Sequence, residues 1–197
     1  AVTAYEKYLA ITENPGQAKF QYAFFLFMAK KFDKANEIFK EVTTNPNVSP
    51  VALRYYAYSL TEQNKSDDPN KKPDPVKTEE ARKVFEKYFQ KAKPDEIQAS
   101  DYAYYGKLQL TLKTPEGDSL ANELFAKSLA LDSAQADVLQ MHGDTYLKRK
   151  KFAEAVTAFK QLMSIRQQPL SQDFWSIGRA YYFNDQYVEA DSAFTQL

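Results

Sequence analysis

The chain has 197 residues, of which 44% are hydrophobic, so it can form a sizeable core and is not disordered throughout. Its 26 basic and 26 acidic side chains give zero net charge, which argues against a nucleic-acid partner, because phosphate binding needs surplus Lys and Arg. Cysteine is absent, which excludes disulfides, thiolate catalysis and Cys-bound metals, and the sequence has no run of about eighteen apolar residues that would predict a transmembrane helix.

The first predicted element is a helix within residues 1–14, in which Ala1, Tyr5, Tyr8 and Leu9 share one face. It matches the second helix of a helix pair whose first helix is absent. Neither end of the sequence has a polar capping helix, which arrays of repeats normally carry. We therefore expect the chain to be a piece of a longer protein. The alternative is that the uncapped ends associate with a second copy or another chain.

Five helix pairs are predicted after this segment, at about 16–48, 50–96, 99–134, 136–169 and 171–197. The fourth pair shows the pattern most clearly, because Leu139, Gly143 and Tyr146 fall on one face of a helix. A polar corner follows, and then a second apolar stripe that contains Ala155 and Phe159. Two amphipathic helices joined by a short turn form an αα-hairpin, whose stripes are buried against each other and against neighbouring pairs.

The second pair carries an insertion at 63–77 between its two helices. Three prolines, mixed charges and no apolar period predict that this segment is an extended or mobile loop. Thr78 is predicted to cap the helix that follows, with Glu79 and Glu80 favourable at its positive end. The dipeptide Ser49-Pro50 predicts another helix start.

A small residue followed twelve positions later by alanine recurs along the chain, as at Gly143 and Ala155 or Gly178 and Ala190. The undisturbed period is thirty-four residues, for example from Ala121 to Ala155. We interpret these small residues as points at which two helix backbones approach closely. The pattern resembles the tetratricopeptide repeat, whose signature positions are matched in the last pair by Phe174, Ile177, Gly178, Tyr181, Ala190 and Phe194.

This resemblance implies one all-α domain, a right-handed α-solenoid of stacked antiparallel helix pairs that forms a tetratricopeptide-like superhelix. Proteins of the family hold peptides in a concave groove, which is lined by fixed positions of the first helix of each pair. At those positions the chain has Phe20, Phe24, Arg54, Tyr58, Lys107, Gln140, Asp144, Trp175, Arg179 and Tyr182. Their aromatic and basic character predicts a groove that binds a protein or peptide, with a preference for acidic or carboxylate-bearing segments.

Other interpretations stay open at this stage. Phe20, Phe24 and Phe27 either line the groove or pack against an upstream helix that the chain lacks. The chain as a whole is either a binding scaffold or a purely structural segment that stacks with further repeats or a second copy. It is also consistent with the interaction domain of a larger envelope protein, since the Cys-free, Tyr- and Phe-rich composition resembles exported bacterial proteins of the cell envelope or periplasm. The compartment itself is left open.

The sequence contains no catalytic or cofactor-binding motif. Its one histidine, His142, lies on the same helix stripe as Leu139 and Tyr146 and is predicted to be a packing residue. A lone histidine without carboxylate or Cys neighbours at ligand spacing does not make a metal site. We therefore expect no enzymatic activity, no cofactor and no metal, and we expect neither nucleic-acid binding nor membrane insertion.

Overall fold

The structure is a computed structural model that describes Thr12 and residues 15–65 and 73–197. The predicted half unit at 1–14 and the centre of the predicted loop therefore lie outside the described residues, apart from Thr12. Within that part of the chain, ten α-helices and one short 3-10 helix are arranged as consecutive pairs, which confirms the predicted all-α class. The helices form two compact units.

The first unit ends at Ile97 and contains two helix pairs. Its elements are α1 (Pro15–Met28), α2 (Phe32–Thr43), α3 (Pro50–Gln63), α4 (Pro75–Lys91) and the 3-10 helix Pro94–Glu96. Each α-helix packs on the next, and α1 also packs on α3. One core cluster in this unit consists of Val48, Ala52, Leu53 and Tyr88, with Phe20, Val84 and Phe89 packed around it.

The second unit covers Gln98–Leu197 and contains three helix pairs. Its helices are α5 (Ala99–Thr111), α6 (Pro115–Leu131), α7 (Ala136–Lys148), α8 (Phe152–Ile165), α9 (Ser171–Phe183) and α10 (Tyr187–Phe194). Each of these helices packs on the next one along the chain. The largest apolar cluster of the unit is built from α7, α8, α9 and α10, and it includes Leu139, Phe159, Leu162, Ile177 and Ala180.

Two helix starts illustrate how capping positions these elements. The Ser49 hydroxyl accepts a hydrogen bond from the Val51 amide at 3.3 Å, and Pro50 begins α3, as predicted. The start of α4 differs from the prediction, because Asp74 is its cap and accepts a hydrogen bond from the Val76 amide at 2.9 Å. The helix thus begins at Pro75, inside the predicted loop, and Thr78 lies buried within its first turns.

The glycines of the repeat leave space for a phenylalanine ring. A Cβ atom on Gly143 would lie 2.5 Å from the Phe159 ring, and one on Gly178 would lie 2.5 Å from the Phe194 ring. Each of these rings belongs to the second helix of the same pair. At these glycines the close approach is a backbone-to-ring contact with a phenylalanine sixteen residues later.

Candidate functional site

In the first unit, the aromatic residues predicted for the groove surround Tyr55 of α3. The ring centroids of Phe20, Phe24 and Phe27 lie 6.4, 4.6 and 5.8 Å from that of Tyr55, and all three side chains are half-buried. Phe20 also lies 6.3 Å from the buried ring of Phe39. The aromatic side chains of α1 thus pack on the following helix pair, an arrangement that neither of the two sequence interpretations included.

Arg54 and Tyr58 are both buried, which differs from the open placement predicted for groove residues. The Arg54 guanidinium donates to the Tyr88 hydroxyl at 2.8 Å and to the Glu96 carbonyl at 2.5 Å. The Tyr58 ring packs 6.3 Å from that of Phe85. A buried cation is stable only when its donors are satisfied, so in this structure Arg54 holds the 3-10 helix and α4 together inside the first unit.

In the second unit, two predicted groove residues connect the first helices of successive pairs. The Lys107 ammonium on α5 lies 2.8 Å from the carboxylate of Asp137 in the first turn of α7. The Gln140 amide on α7 donates to the exposed carboxylate of Asp144 at 2.9 Å and to the Ser176 hydroxyl on α9 at 3.1 Å. Both side chains therefore already have polar partners within the unit.

The remaining predicted residues lie on one open surface of α9 and α10. Trp175 and Tyr182 are 45% and 54% exposed, and Arg179 lies half-buried between them, since the three occupy one side of α9. They border a shallow depression of about 500 Å³, whose floor is almost entirely apolar. We call this surface the α9–α10 face and define it by its six lining residues, which are Trp175, Arg179, Tyr182, Phe183, Phe194 and Leu197.

Aromatic packing holds the α9–α10 face in place. The Trp175 ring lies 5.6 Å from that of Phe194, so α10 supports it from below. Tyr182 makes edge contacts with Phe183 at 5.5 Å and with Tyr187 at 5.7 Å. Such edge-to-face pairs fix ring orientation, and the face is consequently a preformed surface of exposed aromatic rings.

Arg179 is the one basic residue of this face, and no salt bridge connects it to a carboxylate of the described residues. The nearest acidic residue in the sequence of α9, Asp173, is buried and engaged elsewhere. Its carboxylate accepts two hydrogen bonds from Arg166 at 2.7 Å and one from the Leu170 amide at 2.7 Å. The guanidinium of Arg179 is thus available for an acidic group from outside the unit.

His142 is buried on α7, as predicted for a packing residue. Its ring centroid lies 4.3 Å from that of Tyr146 and 6.2 Å from that of Phe125. Burial lowers the pKa of His142 to about 4, because the charged imidazolium is poorly solvated there. The imidazole is therefore neutral at neutral pH and packs as an aromatic ring.

Two other features, a metal site and a membrane-spanning helix, are absent from the described part of the chain. Residues 15–65 and 73–197 contain no group of three His, Cys, Asp or Glu side chains that could hold a metal ion. None of the helices described above is both long enough and apolar enough to cross a membrane.

Phe194 and Leu197 of the α9–α10 face were not among the predicted site residues. The sequence does contain a signal for them. A shift of 35 residues places Phe194 and Leu197 on Phe159 and Leu162 of the preceding pair. Phe159 and Leu162 are fully buried, whereas Leu197 is exposed. The shift therefore identifies positions that are covered in the preceding pair and exposed, among the described residues, in the last pair.

Comparison with solved structures gives several matches that extend over most of the chain. The C-terminal part of a tetratricopeptide-repeat-containing protein from Cytophaga hutchinsonii is 27% identical, with a TM-score of 0.71 over 90% of this chain and 62% of that one. MamA is 18% identical, with a TM-score of 0.74 over 94% and 91% of the two chains. YrrB, described as a tetratricopeptide-repeat protein with an unusual peptide-binding site, is 13% identical, with a TM-score of 0.75 over 98% and 90%. No family model and no curated protein matches the sequence.

Proposed function

We propose that this chain, which has the tetratricopeptide-repeat fold of the solved structures it matches, is a non-catalytic scaffold that binds other proteins. The predicted fold is confirmed by those matches, and proteins with this fold generally serve as interaction scaffolds. We further propose that the partner binds at the α9–α10 face. The observation that supports this is that exposed Trp175 and Tyr182 flank Arg179, which has no salt bridge to a carboxylate among the described residues.

The composition of this face favours protein binding over simple solvation. Trp, Tyr and Arg are the residues most enriched at the energetic centres of protein interfaces. A large aromatic side chain left in water forgoes the roughly 25 cal/mol per Å² that burial of its apolar area would contribute. A partner that covers Trp175 and Tyr182 recovers that free energy, and a carboxylate near Arg179 adds a charge-assisted hydrogen bond.

Four other predicted groove residues are less available for ligand binding. Lys107 is paired with Asp137, and Gln140 is bonded to Ser176, so a ligand would have to compete with bonds inside the unit. Arg54 and Tyr58 are buried. We therefore assign partner binding to the α9–α10 face, and we assign its acidic preference to Arg179.

The test is a double substitution, Trp175→Ala with Arg179→Ala, in the chain used as bait for its native partners. Calorimetry with a recovered partner should then show affinity at least about tenfold weaker, because truncation of one such anchor typically costs more than 1 kcal/mol. Leu131→Ala is the matched control, since Leu131 is an exposed apolar residue of the same unit outside the face. Far-UV circular dichroism should be the same for all three proteins.

Equal affinity of the double variant and the parent would contradict this assignment. The same proteins separate binding from the purely structural alternative when their mass is measured by light scattering over a range of concentrations. A mass that rises with concentration in the parent, and stays constant in the double variant, would assign the face to self-association.

A further inference from the structure

Two cavities are formed by equivalent repeat positions, one in each unit. In the first unit a cavity of about 640 Å³ is lined by residues of α2, α3 and α4, and in the second a cavity of about 400 Å³ is lined by residues of α6, α7 and α8. Aligning the repeat pairs Ala35 with Ala121, Ala57 with Gly143, and Ala81 with Ala155. Since the same positions form both cavities, the side chains that differ between them determine what each cavity can hold.

The first cavity contains a lysine of the chain itself. The Lys40 ammonium on α2 lies 3.0 Å from the carboxylate of Glu80 on α4. The same carboxylate accepts a hydrogen bond from the Tyr56 hydroxyl on α3 at 2.7 Å. Glu80 is thus bound both by an ammonium and by a hydroxyl donor, so this cavity supplies its own cation.

The second cavity keeps the carboxylate and lacks both of these donors. In the alignment, three residues of the second unit take the places of those in the first: Glu154 for Glu80, Ala126 for Lys40 and His142 for Tyr56. Alanine has no ammonium, and Nε2 of His142 is buried without a hydrogen-bond partner. Within the described residues Glu154 makes one ion pair, a long contact of 3.8 Å with Lys151, and both side chains are 48% exposed. The Glu154 carboxylate can therefore accept further hydrogen bonds.

The rest of the polar lining also differs in charge. No lysine or arginine lines the second cavity in the part of the chain that the structure describes. Lys83 and Lys87 of the first cavity are replaced by Thr157 and Gln161. The Thr157 hydroxyl and the Gln161 amide nitrogen each donate to a backbone carbonyl, at 3.0 and 3.1 Å. Their oxygen atoms remain able to accept hydrogen bonds, so α8 lines the cavity with acceptors and one carboxylate.

We propose that the second cavity binds the side chain of a lysine from a partner protein, whose ammonium meets Glu154 as Lys40 meets Glu80. The alkyl stem is covered by the three alanines that line the cavity, Ala126, Ala130 and Ala158. This inference rests on the proposed function, because the lysine comes from a protein that the scaffold binds. The cavity shares no lining residue with the α9–α10 face and is a second contact surface.

The aromatic residues of the cavity also suit an ammonium. The rings of His142 and Tyr146 line it, with centroids 4.3 Å apart. Burial and the nearby Glu154 carboxylate raise the pKa of Tyr146, so the ring and the carboxylate lie close to one another. An ammonium bound at Glu154 is therefore near an aromatic ring, which adds cation–π attraction. The imidazole of His142 is neutral at neutral pH, because burial lowers its pKa to about 4, and it does not repel the ammonium.

The chain carries its own reporter for a test. His142 is the sole histidine, so the NMR signals of its ring C–H groups report on this cavity. The probe is a capped tripeptide, glycine-lysine-glycine, added to the full chain at constant ionic strength. We expect a saturable shift of the His142 signals at millimolar peptide. A matched tripeptide with norleucine in place of lysine has the same stem without the ammonium and should produce no saturable shift.

Three variants of the chain locate the ammonium. Glu154→Gln should weaken binding of the lysine peptide about two- to fivefold, the range expected for one exposed or half-exposed ion pair. Ala126→Lys places an internal ammonium where Lys40 lies in the first unit and should abolish the shift. Glu116→Gln is the matched control, since Glu116 is an exposed carboxylate of α6 that does not line the cavity, and it should leave binding unchanged.

Four results would overturn the inference. They are the absence of a saturable shift in the parent, equal affinity for the norleucine peptide, unchanged affinity in Glu154→Gln, and tighter binding of n-butylamine than of the lysine peptide, which indicates a free amine as the ligand. These failures can be told apart from failure of the proposed function. If Trp175→Ala with Arg179→Ala still weakens binding of native partners, the scaffold role stands and only the lysine assignment is wrong.

Discussion

At Gly143, helix propensity favours alanine, whereas packing in the core favours glycine. Glycine in the middle of a helix costs about 1 kcal/mol relative to alanine, yet a Cβ here would lie 2.5 Å from the ring of Phe159. Because Phe159 is fully buried, the ring cannot move without disturbing the core. We expect Gly143→Ala to lower the free energy of unfolding by about 1–3 kcal/mol, the usual cost of overpacking a core. Urea denaturation followed by circular dichroism measures the change.

A second substitution checks the cause. In Gly143→Ala combined with Phe159→Leu, the smaller side chain removes the clash, so the loss should be smaller than the sum of the two single losses. Ala23 takes the equivalent place in the first helix pair and is fully buried, which shows that the fold also exists with alanine there. An unchanged or higher stability of Gly143→Ala would mean that the second unit can adopt that spacing too.

At the scale of the elements, the turns inside four of the helix pairs share a backbone feature. Lys30, Lys113, Lys150 and Asp185 have φ values of 56°, 53°, 58° and 59°, in the left-handed region that favours glycine. At the α7–α8 turn, the Lys151 amide donates to the Tyr146 carbonyl at 2.9 Å, the bond that closes a Schellman motif around Lys150.

We expect Lys150→Gly to raise the free energy of unfolding by about 1 kcal/mol, because a side chain in the left-handed region is strained by roughly that amount. The matched control is Glu123→Gly in the interior of α6, where glycine should lower stability by about 1 kcal/mol. Thermal and urea unfolding of the two variants give the signs directly. Destabilisation by both substitutions would show that the Lys150 side chain contributes more than its backbone strain costs.

The helix pairs could be predicted from the sequence because their signals are local: apolar stripes with helical spacing and short polar corners. The start of α4 shows where local signals fail, since Asp74 and Thr78 are both capping types. The structure decides between them through a contact between elements, in which the Asn64 side chain donates to the Thr78 hydroxyl at 2.7 Å. The same Asn64 side chain accepts a hydrogen bond from the Asp74 amide at 2.8 Å, so it holds Asp74 at the cap position and Thr78 inside the helix.

At the scale of the whole molecule, the candidate site was only partly predictable. The family resemblance selects the same helix positions in every pair, but exposure depends on what covers each position. Arg54 and Trp175 occupy equivalent positions, yet Arg54 is buried against Tyr88 and the Glu96 carbonyl, whereas Trp175 is half-exposed. Coverage is a tertiary property, so the sequence predicted the positions without distinguishing the open ones from the closed ones.

The second unit has the internal interactions of an independently folding domain. Its largest apolar cluster joins helices α7 to α10. Two ion pairs, Arg166 with Asp173 and Lys148 with Asp118, connect residues of the same unit. We expect a fragment of residues 98–197 to be helical and to unfold cooperatively in urea. Leu162→Ala should lower its free energy of unfolding by about 2–5 kcal/mol, since Leu162 is fully buried.

Leu131→Ala serves as the control in the fragment, because an exposed leucine outside the core should change stability by less than about 0.5 kcal/mol. The transition is followed by circular dichroism and by Trp175 fluorescence, which report helix content and the α9–α10 face respectively. Coincident curves from the two probes indicate that the face is part of the cooperative unit. A fragment without a cooperative transition would mean that the contacts within residues 98–197 do not suffice to outweigh the conformational entropy of the chain.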